Sequence, residues 1–547
     1  MKTKKTSINC NSLVFIKTYG CQMNEYDSEI MAGLLKDSGY HLTDEMEVAD
    51  VILLNTCYVR EKVKHKVYSK LGELKQLKEK KPGIILGLCG CLVQKEPNQT
   101  LRQAPYLDFI LGTSNFFELP QVLGEICGDR AAVPSMAQLS DKSDRYNTQY
   151  ASRTTQYVKV AVPSMAQLSD KSDRYNTRAT APFMAQTKEG EPEDQVAVPS
   201  MAQCSGLIHQ TIAAQTRKRH APIVRVEEGR AVPENLPKLR KRKFSAFVPV
   251  MRGCDNFCSY CNVPYVRGRE KSRNPKNILK EIEGLSHQGY KEVTLLGQNV
   301  NSYGKGLERK IDFADLLGLV NQIEGLSRIR FITSHPKDLS DKLIERMAQL
   351  DKVCEHLHLP IQSGSNRVLS RMNRGYTREE YKCLVDKVHQ LIPEISLTTD
   401  IIVGFPGETE KDFEDTLDLV KEIGFDGAFT FCYSPLAGTK AAEFKERVTQ
   451  KISKERLRKL IEIQQKMTLE RNKPLIGQNL EVLVEGISKK SPYELEGRTR
   501  GNKIVIFKGK ENLIGELIFL RITEAGCWAL RGELYKSDKS DRYKLEM

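Results

Sequence analysis

The run Met251-Arg-Gly-Cys-Asp-Asn-Phe-Cys-Ser-Tyr-Cys261 sets Cys254, Cys258 and Cys261 in C-x3-C-x2-C spacing. A chain that carries it must present three thiolates together on one short loop. Three thiolates this close can grip three corners of a four-iron cluster, because cysteine thiolate is the usual iron–sulfur ligand. No fourth Cys or His follows nearby; the next histidine is His287. One iron is then left for a small-molecule ligand. The amine and carboxylate of S-adenosylmethionine suit that position, and the pair can release a carbon radical. A zinc knuckle borrowing a distant fourth ligand is the alternative. Tyr260, directly before the third cysteine, favours the radical reading and is a candidate cofactor contact.

Upstream, residues 13 to 127 alternate strand and helix patterns. Strands are predicted at Leu13–Thr18, Asp50–Asn55, Gly83–Leu88 and Leu107–Leu111. Ser28 is the predicted cap of a first helix that stops at Gly39, a Lys-rich helix ends near Lys80, and a last helix starts near Asn115. This alternating order predicts an open parallel sheet. Cys21, Cys57 and Cys91 each follow one of the first three strands. Right-handed crossovers carry those strand ends to one edge, where open α/β sheets bind ligands. A second iron–sulfur cluster on these three thiolates is the expectation. The alternative is three unrelated core cysteines, since buried free cysteine is common. Cys89 lies within the third strand and reads as core; Cys10 has no evident role.

From Phe244 six strand-like runs recur, near 246–251, 292–296, 329–333, 355–359, 396–402 and 427–432. Helical segments follow Pro275, Asp312, Ser340, Thr377 and Thr409. Six such units predict a partial (βα)6 version of the eight-unit TIM-like barrel, with function on the loops after the strands. Those loops supply the candidate S-adenosylmethionine contacts: Gly297, Gln298 and Asn299, then Ser334 and His335, then Gln362 and Ser363. The fifth strand adds Asp400 and leads into Gly404-Phe-Pro-Gly-Glu408. Glycine permits close backbone approach, and Asn, Gln and Ser offer hydrogen bonds to ribose and amino-acid groups. No side chain is read as catalytic beyond the six cluster cysteines.

Five short strand patterns between 479 and 534, punctuated by glycines, predict a small oligonucleotide-binding type of β-barrel. Lys489, Lys490, Arg498, Arg500, Lys503 and Lys508 give it a basic surface suited to phosphates. The whole chain carries a net charge of +14, which points to a polyanionic partner. Between the first two regions, Ala132–Thr148 recurs identically at Ala161–Thr177, in part at Ala197–Gln203, and as Ser537–Tyr543 near the end. Identical polar copies at irregular spacing predict a disordered insert. The expected organisation is an N-terminal domain 12–128, insert and linker 129–239, a central domain 240–472, the small barrel 473–536 and a tail 537–547. The longest apolar run, Ile84–Val93, falls short of the ~20 residues that span a bilayer. With 14 cysteines clustered rather than dispersed, the chain reads as cytoplasmic and metal-binding, with no membrane association.

Three sets of motifs resemble the radical S-adenosylmethionine methylthiotransferase family. The first is Thr18-Tyr-Gly-Cys-Gln-Met-Asn24 with Asp27-Ser-Glu29, Leu54-Asn-Thr-Cys57, Val59-Arg-Glu61, Gly90-Cys91 and Gln94. The second is the run from Arg252 to Arg273, with Gln298-Asn-Val-Asn-Ser-Tyr-Gly304. The third, Gly497-Arg-Thr-Arg-Gly-Asn-Lys503, resembles the TRAM domain of RNA-modifying enzymes. Leu92-Val93 stands where the family more usually has Met-Ala. The resemblance implies two 4Fe-4S clusters, with S-adenosylmethionine as both methyl donor and radical source. It implies a substrate on the tRNA anticodon arm, an electron donor such as flavodoxin or ferredoxin, and a monomer. The local sequence is most similar to the branch that methylthiolates N6-dimethylallyladenosine at position 37 of tRNA. Sister branches act on threonylcarbamoyladenosine or a ribosomal-protein aspartate. An RNA-binding iron–sulfur sensor without turnover is the reading from another class.

Overall fold

Leucine-, isoleucine- and valine-rich runs build the first sheet. The computed structural model describes residues 12–58, 61–127, 221–227, 232–308 and 310–535. The repeated cassettes and the basic run Arg217–Arg219 lie outside the described residues. Six parallel strands pair in the order β2-β1-β3-β4-β5-β6. They are β1 (Leu13–Tyr19), β2 (His41–Leu42), β3 (Val51–Thr56), β4 (Ile85–Gly90), β5 (Phe109–Leu111) and β6 (Ile223–Arg225). Every residue of β3 and β4 is buried, as a central parallel strand covered on both faces requires. Val51, Leu53, Ile85 and Leu111 pack on one face with Ile30 and Leu34 of helix α1 (Gln22–Asp37). Ile52, Leu54, Leu86 and Leu88 pack on the other with Val67, Leu71 and Leu74 of α2 (Glu61–Lys80). Each such aliphatic side chain, fully buried, contributes ~1.5–3 kcal/mol, so this period-two pattern anchors the sheet.

Two expectations fail in this region. Ser28 does not cap a helix: α1 starts at Gln22, with Cys21 in extended backbone at its N-cap. Ser28 is buried inside α1, where its hydroxyl meets Thr18 Oγ1 at 2.8 Å and accepts from Asn55 Nδ2 at 2.9 Å. The tertiary partners outcompete the capping role that such a hydroxyl has in isolation. The predicted linker also reaches too far, because Ile223–Arg225 joins the sheet beside β5. Arg225 holds it there by pairing, buried, with Glu118 and with Glu125 at 2.5 Å.

The six predicted central strands all form: β7 (Ser245–Pro249), β10 (Glu292–Leu296), β11 (Arg328–Ile332), β12 (His356–His358), β13 (Ser396–Val403) and β14 (Gly427–Cys432). A short hairpin, β8 (Met251–Arg252) with β9 (Lys271–Ser272), had no signal of its own in the sequence. The six form two parallel three-stranded sheets, β11-β10-β7 and β12-β13-β14, linked through a bridge between Ile329 and Val353. Side chains of Asp312, Ser340, Thr377 and Thr409 cap the helices that follow them. Alternate strand residues such as Val293, Ile329, Leu357 and Ile401 face the helices in one large core. The other face is the concave side of the half-barrel.

A helix at Gln450–Asn472 leads into a closed five-stranded barrel of order β15-β16-β17-β19-β18. Its strands are β15 (Asn479–Ile487), β16 (Glu494–Thr499), β17 (Ile504–Lys508), β18 (Leu517–Ala525) and β19 (Leu530–Leu534). Two arginines of β11 dock it on the half-barrel. Arg328, fully buried, donates to Glu481 Oε1 at 2.7 Å and to the Arg498 carbonyl at 2.9 Å. Arg330 pairs with Glu292 at 2.7 Å and donates to the carbonyls of Arg500 at 2.7 Å and Thr499 at 2.6 Å. Among the described residues no helix is long and apolar enough to cross a membrane.

Candidate functional site

The sheet register brings the N-terminal cysteines together. Tyr19, Thr56 and Gly90 are level across β1, β3 and β4, and Cys21, Cys57 and Cys91 follow them by two, one and one residues. The Cys57 N–H donates to the Tyr19 carbonyl at 2.8 Å. Asn55 Nδ2 donates to the Asn24 carbonyl at 2.8 Å and Thr56 Oγ1 to that of Cys89 at 2.7 Å, which ties the three loops to one another. Gly90 has φ +99°, and a Cβ there would lie 2.4 Å from the Thr56 carbonyl oxygen. Only glycine lets the chain turn into α3 (Cys91–Lys95) with the thiol at this edge. A hydrogen bond with the Cys57 thiol outweighs desolvation and brings the exposed Cys21 down to about 6, with help from the Arg267 charge and the N–H groups of Asn24 and Met23. Burial pushes Cys91 up, partly offset by Arg267. Cys89 is a core residue pushed by burial to about 12.

The loop after β8 carries the second set. Gly253 has φ +79°, and a Cβ there would meet the Arg269 carbonyl oxygen at 2.0 Å. The Cys254 N–H donates to Gly268 O at 3.2 Å, and that of Cys261 to Cys258 O at 2.9 Å. Burial raises Cys254 to about 11, with the Cys258 and Glu270 charges adding to it. Burial, then the charges of Cys258 and Cys254, raises Cys261 to about 12. The three sulfurs thus lie close enough to feel one another. Arg374, itself buried, donates to Cys258 Sγ at 3.4 Å, to Tyr260 Oη at 3.4 Å and to the Pro360 carbonyl at 2.8 Å. It is a cation placed beside the thiols that sequence reasoning missed; nothing in the run around it marks it out.

The candidate cofactor contacts gather around this loop. Gln298 Oε1 accepts from the Gly253 N–H at 2.6 Å. Asn299 Nδ2 donates to Asp338 Oδ2 at 2.7 Å, and Asn256 of the cysteine loop donates to the same oxygen at 3.3 Å. Gly297 packs where a Cβ would press on Met251 at 2.8 Å. His335 stacks edge-on against Tyr376 at 5.8 Å, and Tyr376 Oη accepts from Arg374 Nε at 2.8 Å. Burial, then the charges of Arg374 and Lys337, pushes His335 down to about 2, so it is neutral. Its Nδ1 accepts from the Lys337 N–H at 3.3 Å. Among these candidate contacts, four buried polar atoms have no protein partner: Asn299 Oδ1, Ser334 Oγ, His335 Nε2 and Gln362 Oε1. Buried polar groups are almost always satisfied, so four orphans on three neighbouring loops fit a polar ligand such as S-adenosylmethionine. Tyr260 packs against the core cluster of Val368, Met372, Phe405 and Ala441. Asp400 stands on the concave face, 3.5 Å from His358 Nε2 and level with the exposed Phe429. Ser363 is turned away: it is fully buried, with its hydroxyl 3.3 Å from that of Thr416 in the helix Glu410–Ile423 that follows β13.

Asp27 ties the two cysteine sets. It is buried in α1, and its oxygens accept from Arg252 Nη2 at 2.8 Å and Arg267 Nη1 at 2.7 Å. Arg252 precedes Cys254 by two residues, and Arg267 follows Cys261 by six. Arginines flanking the cysteine run were visible in the sequence; their shared partner, 225 residues upstream of Arg252, was not. Among the described residues, no group of three His, Cys, Asp or Glu converges as a single metal ion requires. In a four-iron cluster each thiolate instead meets a different iron, so a looser set serves.

Comparison with known proteins follows the same divisions. Residues 13–112 match "Uncharacterized protein family UPF0004", residues 248–420 the radical SAM superfamily and residues 473–535 the TRAM domain. Radical SAM chemistry, with its iron–sulfur cluster and S-adenosylmethionine, therefore replaces the zinc-knuckle alternative as the class of this protein. The chain is 45% identical over 522 residues to the tRNA-2-methylthio-N(6)-dimethylallyladenosine synthase of Moorella thermoacetica, covering 95% of this chain and 97% of that protein. It is 43% identical to the protein of the same name in Clostridium novyi, over 96% of this chain and 97% of the relative. Among solved structures, the radical S-adenosylmethionine methyltransferase TsrM of Kitasatospora setae, with cobalamin and a 4Fe-4S cluster bound, is similar with TM-score 0.47 and 11% identity, covering 79% of this chain and 74% of that chain. The chain belongs to the tRNA-2-methylthio-N(6)-dimethylallyladenosine synthase family.

Proposed function

We propose that this protein converts N6-dimethylallyladenosine beside the tRNA anticodon to its 2-methylthio derivative, as a radical S-adenosylmethionine methylthiotransferase. The observation that carries the reading is the two cysteine sets, one at a sheet edge and one on the loop after β8, tied through Asp27, in a chain 45% identical to a named synthase over nearly its full length. Cys254, Cys258 and Cys261 would hold one 4Fe-4S cluster, and Cys21, Cys57 and Cys91 the other. With S-adenosylmethionine these groups supply a carbon radical able to take hydrogen from an unactivated C–H bond, and the sulfur and methyl of the product.

The protein's own part is binding and orientation. The orphaned atoms of Asn299, Ser334, His335 and Gln362 would take the polar groups of S-adenosylmethionine, beside Gly297, Gln298, Tyr260 and Asp400. His335 is held neutral, and because its Nδ1 accepts from the Lys337 N–H, its Nε2 carries the proton and donates without adding charge. Adenine C2–H is not acidic, so no general base is assigned. The basic barrel would bind the tRNA arm, with Lys489, Lys490 and Lys508 toward phosphate. The enzyme would work as a cytoplasmic monomer supplied by a small electron carrier of flavodoxin or ferredoxin type. The test is reconstituted protein with S-adenosylmethionine, reductant and tRNA carrying N6-dimethylallyladenosine, read by mass analysis of the digested nucleosides. The 2-methylthio nucleoside should appear. Conversion only of threonylcarbamoyladenosine would move the protein to a sister branch; no 5′-deoxyadenosine at all would make it a sensor.

A further inference from the structure

Arg267 reaches from the central domain into the N-terminal cysteine set. Its side chain is buried, its Nη1 is fixed by Asp27 of the helix whose N-cap is Cys21, the adjacent Val266 packs in one core cluster with Cys91, and its charge favours the thiolates of both cysteines. Its Nη2 is buried with no protein partner. A guanidinium does not lose its proton, and it is the cation best suited to fixed, directional contact with anionic groups. Two guanidinium groups, Arg252 and Arg267, face the single carboxylate of Asp27. One positive charge is therefore left over. Arg252 spends its contacts on Asp27, the Thr113 carbonyl at 3.3 Å and the face of the Phe116 ring at 5.4 Å. The charge that acts on Cys21 and Cys91 is that of Arg267, which also carries the buried Nη2 without a protein partner.

We propose that Arg267 is a positioning residue that sets the redox balance of the iron–sulfur group held by Cys21, Cys57 and Cys91, with Asp27 as its counterweight. The proposal rests on the two-cluster reading. A cluster held by three thiolates is anionic and gains one further negative charge on reduction. A fixed cation beside it stabilises the reduced form and raises the reduction potential, since surrounding charge and hydrogen bonds to sulfur set cluster potentials.

The experiment uses the full chain with Cys254, Cys258 and Cys261 replaced by Ala, so that the N-terminal set alone holds iron. The reduction potential is read by an EPR-monitored titration, alongside iron content. Arg267→Gln should move the potential to a more negative value with iron retained, and Arg267→Lys should restore most of it. Asp27→Asn, which removes the opposing carboxylate, should move it the other way. Arg252→Gln, which leaves the charge at the thiols in place, should move it less than Arg267→Gln does. A residue needed only for stability would not give opposite signs at positions 267 and 27. Should Arg267→Gln not fold, Asp27→Asn decides: a rise supports the proposal and no rise overturns it. An unmoved potential with iron retained overturns the proposal alone. Absence of iron in the parent triple variant overturns the two-cluster reading and the proposal with it.

Discussion

Replacing Arg330 by Met should release the C-terminal barrel from the half-barrel. In the native protein Arg330 is buried, pairs with buried Glu292 at 2.7 Å and donates across the junction to the carbonyls of Arg500 and Thr499. The substitution removes two charge-assisted hydrogen bonds, each worth ~1.5–3 kcal/mol. It also leaves Glu292 with Arg328 at 4.0 Å as its remaining cation. Breaking a buried ion pair from one side costs ~3–5 kcal/mol, and the losses overlap rather than add. We expect about 4 kcal/mol at the junction. Amide hydrogen exchange within Asn479–Ile487 and Leu530–Leu534 reads this locally, because opening the barrel precedes exchange there. At 1.36 kcal/mol per tenfold, exchange should accelerate on the order of a thousand-fold. Adding Glu292→Gln should recover part of the loss by removing the stranded charge. Acceleration of less than about tenfold in Arg330→Met would refute the view that these buried arginines hold the domain in place.

Replacing Cys254, Cys258 and Cys261 together by Ala should lower the iron of anaerobically reconstituted protein to about half, by metal analysis. Excising residues 131–215 should preserve folding and tRNA modification, because identical polar repeats cannot supply a core; a folded but inactive excision variant would oppose this. His335 is held neutral in the fold and ionises near its ordinary value of 6.5 when unfolded, so its contribution is present above that pH and lost as pH falls below it. At pH 5 the loss is ~2 kcal/mol, and the drop in melting temperature between pH 7.5 and 5 should be smaller in His335→Gln than in the parent.

Much of the site was legible because it is local or periodic. The C-x3-C-x2-C run needs only one loop, and strand periodicity placed Cys21, Cys57 and Cys91 at one sheet edge, which the level positions of Tyr19, Thr56 and Gly90 account for. What escaped was set by partners distant in sequence. Ser28 looked like a helix cap until Thr18 and Asn55 claimed its hydroxyl. Ile223–Arg225 is too short to announce a strand, and it is held by the pairing of Arg225 with Glu118. Arg374 carries no local pattern, and Asp27 stands in a motif that gives no sign of its partners; each matters through a contact more than a hundred residues away. Ser363 belongs to a loop that suited a cofactor, but only its packing on Thr416 shows which way it points.

The central claim is that two cysteine sets, on two domains, do separate work. It is tested most directly by quantifying 5′-deoxyadenosine and the methylthio nucleoside in one reaction of the Cys21, Cys57 and Cys91 triple Ala variant with S-adenosylmethionine, reductant and tRNA. The account predicts that 5′-deoxyadenosine still forms, because the Cys254, Cys258 and Cys261 loop and its surroundings are intact, while no methylthio nucleoside appears. Normal methylthiolation by that variant would contradict the account and leave Cys21, Cys57 and Cys91 as structural residues.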